Sequence, residues 1–132
     1  MVWQGPGHRV ILAEEPGFPG FCRVVWDAHV GEMSDLAVAD AQRLMATVLK
    51  VERVLRQFLL PDKINLASLG NVVPHLHWHV VPRWTTDSHF PDPVWSSPQR
   101  ESVPRAIDRA SLTAALRQAL EAAVDAKDAF TP

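Results

Sequence analysis

The first third of the chain alternates short apolar runs with turn residues. Arg9-Val-Ile-Leu-Ala13 is short and apolar and predicts a strand. Prolines and glycines punctuate Glu14 to Gly20, which predicts a turn. Phe21-Cys-Arg-Val-Val-Trp26 is rich in β-branched and aromatic residues and predicts a second strand, with Asp27 to Met33 as a connection. From Ser34 to about Leu59 the period lengthens. Leu44, Met45, Val48, Leu55 and Phe58 recur at helical spacing, while Arg43, Lys50, Glu52, Arg53 and Gln57 take the other side. That pattern predicts a long amphipathic helix with one face to a core, capped by Ser34 or Asp35 and ended before Pro61-Asp62.

Lys63 to Ser68 predicts a third strand and Leu69-Gly70-Asn71 a turn. Val72 to Arg83 predicts a fourth strand, although Pro74 is ill suited to a ladder near its start. Trp84 to Pro104 is irregular, crowded with prolines, serines, Asp87 and Asp92, and a loop of that length in a small domain is functional or mobile. Leu112, Leu116, Leu120 and Val124 mark a final helix, and the tail after Asp125 is expected to fray. Strands joined by short turns pair antiparallel. The fold class expected is therefore α+β: an antiparallel sheet with the long amphipathic helix on one face and a C-terminal helix.

Composition narrows the function classes. The 132 residues predict one domain over 1–132, and 47% apolar content is enough for one core. The formal charge of −2 comes without a basic stripe, which argues against an electrostatic grip on nucleic acid. A small anion remains a suitable ligand, because a local site can be positive on a mildly acidic protein. Cys22 is the one cysteine, so no internal disulfide can form. Met1 to Gly7 lacks the pattern of a secretory leader, and no apolar run is long enough to span a bilayer. A cytoplasmic protein with no membrane partner is the expectation.

The chemistry concentrates in Val73-Pro-His75-Leu-His77-Trp-His79-Val-Val-Pro-Arg83. On a strand, side chains alternate between faces, so His75, His77 and His79 are expected to share one face. Leu76, Trp78 and Val80 would then lie against the helix. Imidazole near neutrality serves as nucleophile, base or, when charged, phosphate ligand. The middle ring of such a row has one neighbour to orient it and another to hold substrate oxygens, the general recipe for covalent catalysis. The same three rings would also suit a zinc ion with a water in its open position.

His75 to Val81 spells His-φ-His-φ-His-φ-φ without a gap, φ being apolar, and Pro82-Arg83 follows. In this the chain resembles the histidine triad (HIT) family over about residues 8–84, by motif and by the order of elements across a one-domain chain. The resemblance implies a hydrolase or transferase, like diadenosine tetraphosphate hydrolases or adenosine phosphoramidases, acting at the α-phosphate of a nucleotide, adenine nucleotides above all. His77 would form a nucleotidyl-histidine intermediate, His79 would contact phosphate oxygens, and His75 would orient His77. Asn65, Asn71 and Glu14 would bind the nucleotide. No metal or other cofactor is implied, and a homodimer is. Two departures stand out: Val72 where phosphoramidase-type members carry serine or threonine, and Phe21 where members often have histidine. They keep open a nucleotide-binding module without turnover, beside the metal-dependent hydrolase. Among other residues, His29 could approach the site, His89 could sit on a lid, and one of the five tryptophans could stack on a base, whereas His8 reads as incidental and Cys22 as a small buried residue.

Overall fold

The computed structural model describes residues 1–122, so Val124 and the tail after Asp125 lie outside the described residues. Five antiparallel strands form one sheet: β1 (Trp3–Gln4), β2 (His8–Leu12), β3 (Cys22–Trp26), β4 (Lys63–Ala67) and β5 (His77–Arg83), in the order β1-β2-β3-β5-β4. Helix α1 (Val38–Leu59) crosses one face and α2 (Arg109–Glu121) packs beside it. This is the expected α+β architecture with one strand more, since β1 is only two residues long and leaves no periodic trace in the sequence.

Alternation builds the core. Cys22, Val24 and Trp26 of β3 and Val80 of β5 point toward the helices, where they meet Leu44, Val48, Val51 and Leu55 of α1 and Leu112 and Leu116 of α2. Leu76 and Trp78 join this cluster as expected. The buried stripe of α1 includes Val51, whereas Phe58 at its end is 37% exposed. The thiol of Cys22 is buried, and burial pushes its pKa up to about 12 against the opposing pull of Arg109, so it is packing rather than a nucleophile.

Two boundaries differ from the sequence expectation for local reasons. Helix α1 begins at Val38 and not at Ser34, because Asp35 is used elsewhere: its carboxylate accepts the Glu32 N–H at 3.1 Å and closes a short 3₁₀ turn over Met33–Asp35. Leu36 and Ala37 then run extended before the helix starts. Strand β5 begins at His77 and not at Val72. Val72 and Val73 stand exposed after the Gly70 turn, and the Leu76 N–H leaves the ladder to reach the Val30 carbonyl at 2.9 Å. Pro74, with no N–H to give, sits in this departure. Helix α1 ends where Leu60 turns left-handed (φ 51°) ahead of Pro61.

Candidate functional site: the open face of the sheet

The face opposite the helices carries His77 and His79 from β5, Arg23 and Val25 from β3, and Ile11 from β2. The register sets Val25 opposite His77 and Arg23 opposite His79. His75 precedes the strand, so the three rings do not form the flat row expected from alternation. The His75 ring turns to the main chain, where its Nε2–H donates to the Trp26 carbonyl. The His75 carbonyl in turn accepts the Nδ1–H of His77. A carbonyl can only accept, so both protons are placed. His77 keeps its proton on Nδ1 and presents a bare Nε2 lone pair away from the strand. His75 thus orients His77 through its backbone, while its own ring braces that backbone against β3. The Ser68 hydroxyl adds a second restraint by donating to the His77 carbonyl at 2.8 Å.

His79 is only 7% exposed and sits among rings: His77 at 4.8 Å between centroids, Trp95 at 5.0 Å and Phe21 at 5.5 Å. Its Nδ1 is buried without a partner. Burial, aided by His77 and Arg23 and opposed by Glu15, lowers its pKa to about 4, so the ring is neutral near pH 7. A neutral, buried imidazole with an unpaired nitrogen is a costly arrangement, since buried polar groups are nearly always hydrogen-bonded. Among the described residues, no three His, Cys, Asp or Glu side chains come together as a metal-holding group. The reason is visible at the triad: His75 is tied to the Trp26 carbonyl, and the other two rings stand edge to face.

The remaining expected site residues fall in different places. Asn65 lies on the open face opposite Val81, one step along β5 from His79, and its Oδ1 accepts from Arg83 Nη1 at 2.8 Å. Its amide NH₂ is what remains to donate to a ligand. Asn71 is exposed in the bend between β4 and β5, away from the sheet ladder. Glu14 is exposed and borders an open depression of about 560 Å³ between the β2–β3 turn and the segment around Pro104. The carboxylate facing the histidines belongs to Glu15, whose Oε1 accepts from Arg23 Nη2 at 2.7 Å. The Arg23 guanidinium also lies 5.2 Å over the Phe21 ring. From sequence Glu15 reads, with Glu14, as a solvated turn charge, and Arg23 carries no site role, although an arginine on a β-rich strand was the available signal. His29 is exposed, its ring 5.6 Å from that of His75. His8 is not incidental: it is buried against the Thr47 hydroxyl at 2.7 Å and stacks on Trp26.

The stretch after β5 is ordered by one ion pair. Arg83, 1% exposed, donates through Nε and Nη2 to the two oxygens of Asp87 at 2.8 and 3.0 Å, and also to the Asp92 carbonyl. Asp87 further accepts the N–H groups of Trp84, His89 and Phe90. Burial works to raise the Asp87 pKa, but the Arg83 hydrogen bonds and these three N–H groups together hold it below the usual carboxylate range. Arg100 closes the far side on the Asp87 and Phe90 carbonyls. This clamp holds the loop that lays Trp95 on His79.

Compared with known proteins, residues 1–86 match the HIT domain family. The chain belongs to that family. This HIT protein is 36% identical over 96 residues to an AP-4-A phosphorylase of Mycobacterium tuberculosis, covering 68% of this chain and 49% of that one. It is 29% identical over 87 residues to an asymmetrical bis(5'-nucleosyl)-tetraphosphatase of Schizosaccharomyces pombe, covering 62% and 48%. It thus spans about half the length of the curated relatives it matches. Its fold superposes on the crystal structure of a histidine triad protein from Bradyrhizobium japonicum with a TM-score of 0.73, at 31% identity over 89% of this chain and 87% of that one. The family match ends at residue 86, so Asp87 and Trp95 stand beyond it. No helix among the described residues is long and apolar enough to cross a membrane.

Proposed function

We propose that this HIT protein cleaves nucleoside polyphosphates, with adenine nucleotides as the first choice, by transferring a nucleoside monophosphate to His77 and then to an acceptor. His77 Nε2 attacks the α-phosphorus and forms an N–P bond. The bond from phosphorus to the bridging oxygen breaks, and the remaining phosphates leave with the electron pair. A second acceptor, water or inorganic phosphate, then attacks the same phosphorus and returns the lone pair to Nε2. His79 donates through a ring N–H to a non-bridging oxygen, and its enclosure among rings keeps water from competing for that hydrogen bond. Asn65 donates through its amide, with Glu14 and Asn71 at the margin of the nucleotide's path.

The single observation that carries this reading is the His77 ring. Its Nδ1–H is held by the His75 carbonyl, which leaves Nε2 as the free nitrogen, and the neutral His79 ring stands 4.8 Å away. The names of the relatives, a phosphorylase and a tetraphosphatase of dinucleoside polyphosphates, point to the same bond class. The reading includes a homodimer acting in the cytoplasm. Strand β4, at the sheet edge with Leu66 about one-third exposed and Leu69 half-exposed beyond it, is the edge a second copy would meet.

The test is turnover of diadenosine tetraphosphate and adenosine phosphoramidate, with and without phosphate, by wild type and His77→Ala. Wild type is expected to turn over at least one substrate and to yield, on rapid quenching, a peptide carrying nucleoside monophosphate on His77. His77→Ala is expected to lose at least about a thousandfold in rate while keeping its fold. Turnover retained in His77→Ala removes the nucleophile assignment, and turnover abolished by a chelator reinstates the metal-dependent hydrolase.

A further inference from the structure

We propose that Trp95 is the stacking platform for a flat aromatic group on the leaving side of the scissile phosphate, foremost the second nucleobase of a dinucleoside polyphosphate. The inference rests on the nucleotide-transfer reading of the triad and concerns a residue outside the family match.

The geometry of displacement sets the direction. Attacking and leaving atoms lie in line on opposite sides of the phosphorus. His77 Nδ1 is anchored to the main chain, so Nε2 faces away from the sheet, and the leaving group must depart outward from the open face. The segment that rises over that face is the loop after β5. Its Trp95 ring lies on His79 at 5.0 Å with an interplanar angle of 64°, one ring layer above the strand. One edge of the indole shields His79, while half of the residue's surface stays open to solvent. A large aromatic plane so exposed, yet resting on a buried imidazole and carried by a loop that Arg83 holds at the Asp92 carbonyl, is a preformed stacking surface. Arg23, opposite His79, supplies a cation to the phosphates between the two nucleosides. It is only half-buried, and its partner Glu15 can be displaced by a more highly charged anion. Base stacking on an aromatic side chain is tolerant of base identity, so the platform selects for a second base without choosing which.

The experiment compares diadenosine tetraphosphate with adenosine 5'-tetraphosphate, which has the same phosphates and no second nucleoside. Steady-state kinetics are measured on the full chain in wild type, Trp95→Ala and Trp95→Phe. Trp95→Ala is expected to lower kcat/KM for the dinucleotide about tenfold more than for the mononucleotide, mainly through KM, with most of the difference regained in Trp95→Phe. Equal losses on both substrates, or none on either, overturn the proposal, and the mononucleotide rate reports that the variant is folded. A second pair, the tryptamine and methylamine phosphoramidates of adenosine, distinguishes the sources of the aromatic group. Discrimination lost for this pair alone reassigns the platform to amines and overturns the nucleobase assignment. If wild type turns over no nucleotide, the proposed function fails, and the platform is then read from binding. Diadenosine tetraphosphate must still bind more weakly to Trp95→Ala than to wild type, and equal affinity overturns it.

Discussion

The face of the sheet under α1 and α2 and the face that carries His77 and His79 are built from the same strands, residue by alternate residue. Under the helices, Val10, Val24, Val80, Leu44 and Leu55 are fully buried and need nothing but one another. On the open face a small apolar cluster of Ala13, Phe21 and Val81 is ringed by groups that need partners: Arg83 finds Asp87, Arg23 finds Glu15, and His79 Nδ1 finds none. The helix side stores stability in area removed from water, which is insensitive to which apolar side chain supplies it. The open side depends on individual hydrogen bonds to buried polar groups, which fail one at a time and completely. Damage to the first face should therefore cost stability, and damage to the second should cost the site.

The strongest break is Asp87→Ala. It leaves the Arg83 guanidinium buried without its anion and removes the acceptor for three loop N–H groups. The expected cost is about 3–5 kcal/mol, the range for removing one partner of a buried pair. Part of it is recovered if the loop opens to water, so limited proteolysis should cut between residues 88 and 100 before the sheet unfolds, and activity should fall with the loss of Trp95 from His79. Denaturant unfolding together with the cleavage map checks it; a variant as stable and as protease-resistant as wild type would mean that the clamp does not order the loop.

Leu55→Ala sharpens the comparison from the other side. Leu55 is wholly buried between α1 and the sheet, and truncation is expected to cost about 2–5 kcal/mol by urea unfolding. At temperatures where the variant stays folded, kcat/KM is expected to remain within about twofold of wild type, because no open-face residue leans on that side chain. A large activity loss at full folding would show that the two faces are mechanically coupled.

The same contrast explains what could be read from the sequence. The helix side was legible because burial imposes a period: Leu76, Trp78 and Val80 announced a strand face, and Leu44, Val48 and Leu55 a helix stripe. His77 and His79 were legible by the same alternation, which also misplaced His75, since Pro74 and the Leu76 bond to Val30 end the ladder before it. The open-face partners were not legible, because each depends on register. Arg23 meets His79 only through the β3–β5 pairing, and Glu15 rather than Glu14 faces the site because of how the β2–β3 turn closes. Arg83 reads as an ordinary polar strand end until Asp87, four residues on, folds back onto it. Trp95 lies in a stretch whose composition says loop and nothing about where the loop goes.

The smallest effect, and the one that isolates the orphan nitrogen, is in pH. Burial holds the His79 pKa near 4 in the folded chain, below the ordinary value of 6.5. As pH falls through this interval the unfolded chain takes up the proton first, so unfolding gains from acid. The contribution is therefore fully present above about pH 6.5 and is lost as pH drops toward 4. His8, whose pKa burial also lowers, acts in the same sense, whereas Asp87 becomes protonated only below this window. Stability should thus decline between pH 7 and pH 4, with about 2 kcal/mol of the loss owed to His79 after discounting for solvent on the open side of its ring. His79→Gln, which cannot titrate, should flatten the profile to the part left by His8, and a bound nucleotide should flatten that of wild type as well, because a phosphate beside the ring favours its protonated form and brings the folded pKa back toward the ordinary value. Thermal melts at half-unit intervals of pH, on both proteins, decide it: parallel profiles would mean that the ring is hydrated rather than enclosed, and the contrast between the two faces would then lose its sharpest instance.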